Sequence, residues 1–155
     1  MKPRLNFYQA APDTIKALSA IEDHLRSTGL EPSLFELIKI RASQINGCAF
    51  CVQFHILQAE SLGVSADKIN LVVVWREAPQ FSARERAALA WTEALTMLTS
   101  GVSDEVYAEA SASFSEKELT YLSAAIGAIN AWNRLGVAYR WTPPARQTQA
   151  RVAAS

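Results

Sequence analysis

The chain has only two cysteines, two histidines and two methionines in 155 residues, so any thiol, imidazole or metal chemistry it performs draws on very few positions. Two cysteines cannot supply the several bridges of a small secreted scaffold. Surplus charge is also missing. Fifteen Lys and Arg balance fifteen Asp and Glu, which leaves no positive field to gather phosphates or anionic lipid by counterion release. Nucleic acid and membrane surfaces are therefore not expected partners. No stretch reaches the ~20 apolar residues of a bilayer span, and Met1 to Asn6 lead into no apolar run of signal-peptide length. The expectation is a cytoplasmic protein.

Alternation of apolar and polar residues, the mark of a half-buried strand, is absent over any useful length, whereas apolar residues recur at helical spacing almost throughout. The fold class predicted is all-α. The length suits one domain, read here as residues 1–144, followed by a small, polar tail at 145–155 that reads as disordered. Half of the residues are hydrophobic and 19% are charged, more apolar surface than one core of this size absorbs, so a homo-oligomer is expected.

Pro12-Asp13 opens a helix through Ile15, Leu18, Ile21 and Leu25 that stops at Gly29, with Lys16, Glu22 and Arg26 on its exposed face. Pro32-Ser33 opens a second, which Asn46-Gly47 ends. A third begins at Cys48 and runs to Gly63. Ala66 to Arg76 holds the β-branched run Leu71-Val72-Val73-Val74 and is read as helix. Capping boxes at Ser82 to Glu85 and Ser115 to Glu118 start two long helices, one to Ser100-Gly101 and one to about Arg140, with a shorter helix at Ser103 to Ala112 between them. The last helix carries Gly127, Ala128, Ala131 and Gly136, small residues that let another helix approach, within the chain or from a second subunit.

Cys48, Cys51 and His55 stand at i, i+3 and i+7, hence on one face of a helix. A bridge across so short a loop constrains the unfolded chain little, so stapling the fold is a poor use for this pair. At a helix start, free N–H groups and the dipole favour thiolate over thiol, and a nearby histidine pushes the same way. If the second and third helices form an antiparallel hairpin, Glu36 lies ~13 Å below the turn and His55 ~12 Å below it, at 1.5 Å per residue. A carboxylate level with the imidazole can hold one tautomer and raise its basicity. The order read is Glu36, His55, Cys51, Cys48, with Cys51 as the attacking thiolate and Cys48 resolving the sulfenic acid; the opposite assignment of the cysteines stays open because Cys48 is nearer the helix end. Duller readings are two inert core thiols, a hydrogen-bonded histidine and a solvated Glu36 near Lys39. Zinc held by the thiolates, imidazole and carboxylate is the chemical rival. His24 is far from the group in sequence and reads as ordinary.

The run from Leu34 to Cys51, with Glu36, eleven residues, Cys48-Ala49-Phe50-Cys51, three residues and His55, resembles the AhpD-like alkylhydroperoxidases of the carboxymuconolactone decarboxylase superfamily. Trp75-Arg76-Glu77-Ala78-Pro79 and the stretch Phe81 to Trp91 are also similar to members of that family, and the likeness spans roughly residues 30 to 140. The resemblance implies a helical domain assembling as a trimer or hexamer that reduces hydroperoxides through the cysteine pair, with Glu36, Cys48, Cys51 and His55 as the relay. It implies no cofactor or metal, and a dithiol reductant such as a lipoyl group or a thioredoxin-like protein. AhpD enzymes proper carry a further histidine just before the second cysteine; this chain has Phe50 there, so a second base near Cys48 is missing. Decarboxylases of the superfamily lack the cysteine pair, and thioredoxin-like folds need strands around it. A non-enzymatic alternative is a redox-sensing interaction protein whose disulfide changes how a helix face packs.

Overall fold

The computed structural model describes residues 2–145, so residues 146–155 of the expected tail lie outside the described residues. Among the described residues the chain is helical without strands: α1 Phe7–Ala10, α2 Pro12–Arg26, α3 Pro32–Ile45, α4 Ala49–Ser61, α5 Ala66–Leu71, α6 Ala83–Thr96, α7 Asp104–Ser113 and α8 Glu116–Tyr139, with 3-10 turns at Val72–Val74 and Leu98–Ser100. Proline at the first position opens α2 and α3, where its missing N–H costs nothing. Both capping boxes form as the sequence predicts, Ser82 with Glu85 and Ser115 with Glu118.

Helix α3 is the axis of the fold. Every residue from Leu34 to Ile40 is buried, as expected of a helix enclosed on all sides. One face packs Leu34, Phe35 and Ile38 with Leu25 of α2, Ala87, Ala88 and Trp91 of α6, and Leu122 and Ile126 of α8. The other packs Leu37 and Ile40 with Ala59, Ile69, Val72, Trp75, Phe81 and Leu89. A third, smaller cluster joins Ala42, both cysteines and Ile129.

Three expectations are corrected. The segment Ala66 to Arg76 is α-helical only to Leu71 and then tightens into the 3-10 turn. This lets Val72 and Trp75 turn inward while Val73 and Val74 stay about half exposed. Helix α6 ends at Thr96 rather than near Ser100, because Met97 and Leu98 find no core and remain 48% and 60% exposed. Glu22 and Arg26 are not free charges on the outer face of α2: Glu22 is partly buried and pairs with Lys39, and Arg26, although exposed, reaches Glu36 of α3. The short helix α1, which periodicity over so few residues does not reveal, is capped by Asn6 and buries Phe7 against Tyr139 and Trp141.

The stretch similar to AhpD relatives beyond the cysteines is a clamp. Glu93 accepts hydrogen bonds from Arg41 Nε at 2.7 Å and Trp75 Nε1 at 2.9 Å and pairs with Arg76. Arg86 donates to the carbonyls of Trp75, Arg76, Ala78 and Phe81. These bonds satisfy loop carbonyls that no regular element would pair and tie the chain between α5 and α6 to α3.

Candidate active site

Gly47 turns the chain out of α3 with φ +68, a left-handed conformation that glycine adopts without cost. Cys48 follows as the N-cap of α4, and its Sγ accepts a hydrogen bond from Cys51 N at 3.3 Å. The two cysteines are joined as a disulfide with Cα atoms 5.3 Å apart. The turn is fastened to α8 by polar side chains: Asn46 Nδ2 donates to Asn130 and Asn133 at 2.9 Å each, and Asn133 Nδ2 donates to Ser43 Oγ at 2.9 Å. Helix α8 approaches closest at Gly136, where an added Cβ would stand 2.6 Å from Cys48 Sγ and 3.3 Å from Cys51 Sγ. Gly127 by contrast meets nothing within 4 Å, so the small residues of α8 serve two different surroundings.

The α3–α4 hairpin brings His55 level with Glu36, as the rise per residue predicts. His55 Nδ1 lies 2.6 Å from Glu36 Oε2, and both side chains are buried, 7% and 0% exposed. Arg26 stands 2.8 Å from the other carboxylate oxygen, an ion pair not aligned as a hydrogen bond, since Oε1 has no hydrogen-bond partner. Burial pushes the Glu36 carboxyl up, but His55 and Arg26 together outweigh it and hold it below the ordinary glutamate value. Burial pushes the His55 imidazole down, more than Glu36 pulls it up. The pair is therefore an ionised carboxylate and a neutral imidazole. Its Nδ1 carries the proton donated to Glu36, and Nε2 is left as the acceptor.

Beneath this pair Lys39 is 1% exposed, paired with Glu22 and 4.0 Å from the centre of the Phe35 ring. Its burial lowers the ammonium pKa against the opposing pull of Glu22. A cavity of about 260 Å³ opens on Cys51 and His55, walled by the rings of Tyr8, Phe50, Phe54, Trp132 and Trp141, with Glu22, Asp23 and Arg26 at one side. Phe50 stacks on Phe54 with centroids 6.2 Å apart and meets Trp141 edge-on at 5.2 Å.

The four residues singled out from sequence thus meet: Cys48 and Cys51 bonded, His55 sharing the cavity with Cys51, and Glu36 behind His55. Glu36 is not a solvated helix residue, and its neighbour Lys39 is as buried as it is. His24 contacts Tyr121 at ring distance 6.1 Å and does not line the cavity. Among the described residues no three His, Cys, Asp or Glu side chains are grouped as metal ligands would be. Sequence reasoning missed Arg26, Glu22 and the aromatic wall. The i, i+4 placement of Glu22 and Arg26, and a lysine inside the apolar run of α3, were the available signals. Trp141 had none, because it lies past the end of α8.

The chain belongs to the carboxymuconolactone decarboxylase family, whose model matches residues 12–94. Within that superfamily it is AhpD-like, with a peroxidase-related fold. A protein of unknown function from Agrobacterium tumefaciens, named a putative antioxidant defence protein AhpD, superposes with a TM-score of 0.90 at 42% identity over 94% of this chain and 100% of that one. The uncharacterized protein YdfG of Bacillus subtilis is 34% identical over 89% of this chain and 95% of its own length. The debrominase Bmp8 shares the fold alone, with a TM-score of 0.81 and 20% identity over 88% of this chain and 74% of its own. No helix among the described residues is long and apolar enough to cross a membrane.

Proposed function

We propose that the protein is a thiol peroxidase that reduces hydroperoxides through Cys48 and Cys51, with His55 and Glu36 as its proton relay. The observation that carries this reading is the joint placement of a disulfide-forming pair at a helix start and a buried neutral imidazole, held by an ionised carboxylate, on the cavity that Cys51 lines.

In the reduced protein Cys51 gives its proton to His55 Nε2, and the α4 N-terminus steadies negative charge on sulfur. The thiolate attacks the outer peroxide oxygen. The O–O bond breaks, the alcohol leaves with the proton returned by His55, and Cys51 becomes a sulfenic acid. Cys48 then attacks Cys51 Sγ, water departs, and the disulfide seen here forms. Glu36 does not touch the reacting atoms; it is a positioning residue that keeps Nδ1 protonated and Nε2 free. The aromatic wall favours an organic hydroperoxide over a small polar one, since apolar surface is then removed from water.

Peroxide consumption with an added dithiol tests the reading in wild type, Cys51→Ser, Cys48→Ser, His55→Ala and Glu36→Gln. Turnover should vanish in both cysteine variants and fall steeply in the other two. Undiminished turnover in the cysteine variants overturns the mechanism, and oxidation by peroxide without repeated turnover in wild type points instead to redox sensing.

A further inference from the structure

The disulfide is approached from two sides. Besides the aromatic cavity, a second and larger one of about 530 Å³ is lined by Cys48, together with Gly47, Ala49 and Gly136 and the two arginines Arg4 and Arg140. Phe50 and Trp141 line both cavities, and their edge-on contact forms the partition between them. Phe50, the position where AhpD enzymes proper carry histidine, is thus a wall rather than a base.

The two chambers differ in charge. Glu22, Asp23 and Arg26 line the one at Cys51, whereas the one at Cys48 has two arginines and no acid. Arg4 is held there by its backbone N–H donating to Tyr139 O at 3.0 Å and its guanidinium donating to Ala138 O at 3.1 Å. Arg140 caps α8 in a left-handed conformation, φ +54, the one such non-glycine residue among the described residues. That backbone suits glycine better than arginine, yet the position holds an arginine that lines the chamber. Both sulfurs are nearly covered, Cys48 1% and Cys51 3% exposed, so only a slender molecule reaches them. Gly136 brings the bare backbone of α8 against Cys48 Sγ, where a Cβ would stand only 2.6 Å away, so it forms a close wall of this chamber beside the sulfur.

Resting on the reading of the pair as a working dithiol, we propose that the second chamber is the reductant site, taking a compact anionic dithiol that attacks Cys48. Its thiolate bonds to Cys48 Sγ, the Cys48–Cys51 bond breaks, and the electron pair leaves on Cys51, which takes up a proton in the chamber where His55 stands. The donor's second thiol, losing its proton to solvent, then attacks the donor sulfur bound to Cys48. A donor disulfide is released, Cys48 leaves as a thiolate, and the protein pair has gained the two electrons the donor lost. Charge selects the route: the arginines draw a carboxylate-bearing donor to Cys48, whereas the chamber at Cys51, where Lys39 pairs with Glu22 and Asp23 stands beside Arg26, offers no such attraction.

The test uses oxidised full-length protein without peroxide, so it stands or falls apart from peroxidase activity. Reduction by dihydrolipoate, a carboxylate, is compared with reduction by dihydrolipoamide, its neutral counterpart, by counting protein thiols over time. The carboxylate should be roughly tenfold faster at low salt, and the advantage should vanish at high salt and in the double variant Arg4→Gln/Arg140→Gly. Glycine at 140 suits the left-handed backbone, so that variant removes charge without straining the fold. Equal rates in wild type, or an undiminished advantage in the double variant, overturn the proposal. Trapping with 2-mercaptoethanesulfonate, then alkylation and fragment mapping, should place the adduct on Cys48; an adduct on Cys51 overturns the route.

Discussion

Replacing Glu36 by glutamine keeps shape and removes charge, and its consequences follow from two contacts. The buried hydrogen bond between His55 Nδ1 and Glu36 Oε2, 2.6 Å, is charge-assisted and contributes about 1.5–3 kcal/mol, of which a neutral amide retains about 1. Arg26 is 39% exposed at the side chain, so solvent screening limits its share to less than about 1 kcal/mol. The net loss is about 2 kcal/mol, a fall in Tm of roughly 4–8 °C for a chain of this size. The kinetic effect should be larger. An amide can offer Nδ1 either its oxygen or its NH2, so the tautomer that leaves Nε2 as acceptor is no longer enforced. A general base so misdirected costs about 100-fold in rate, or about 2.7 kcal/mol of barrier. Stopped-flow oxidation of the reduced protein by cumene hydroperoxide, with calorimetry alongside, reads both. A Glu36→Gln protein that oxidises within about threefold of wild type would refute the assignment of Glu36 as the group that sets the His55 tautomer.

Gly136→Ala should destabilise by about 1–3 kcal/mol and slow disulfide closure, since the new methyl meets both sulfurs and the surrounding helices cannot yield; urea unfolding of oxidised and reduced protein measures it. Lys39→Met should cost about 3 kcal/mol by stranding Glu22, and Lys39→Met/Glu22→Leu should recover most of that loss, as replacing both members of a buried pair often does; thermal unfolding of the single and double variants decides it. Stability should also fall on acidification. Because burial lowers the His55 pKa in the fold, the unfolded chain binds a proton that the folded one refuses once pH drops below about 6.5, a slope of at most about 1.4 kcal/mol per pH unit. Glu36, held below its ordinary value, contributes stability above about pH 4.3 that is lost on further acidification. Urea midpoints across pH should therefore decline from near neutrality in wild type, with the decline above pH 5 reduced in His55→Gln.

The helical class, the starts of α2, α3, α6 and α8, and the meeting of Glu36 with His55 were legible in the residues alone. Each of these depends on local chemistry or fixed rise: proline and capping boxes at helix starts, 3.6 residues per turn, and a tight turn at Asn46-Gly47 that makes the hairpin antiparallel. Which surface charges are drawn into buried pairs was settled by packing alone. Glu22 and Arg26 sit on a helix with a single fully buried residue, Leu25, and whether they meet water or α3 depends on where α2 docks, which no local signal encodes. The same holds for the two chambers at the disulfide. Their partition is made by Phe50 of α4 and Trp141 beyond α8, residues ninety-one positions apart that become neighbours only when α8 packs its bare Gly136 against the cysteine pair.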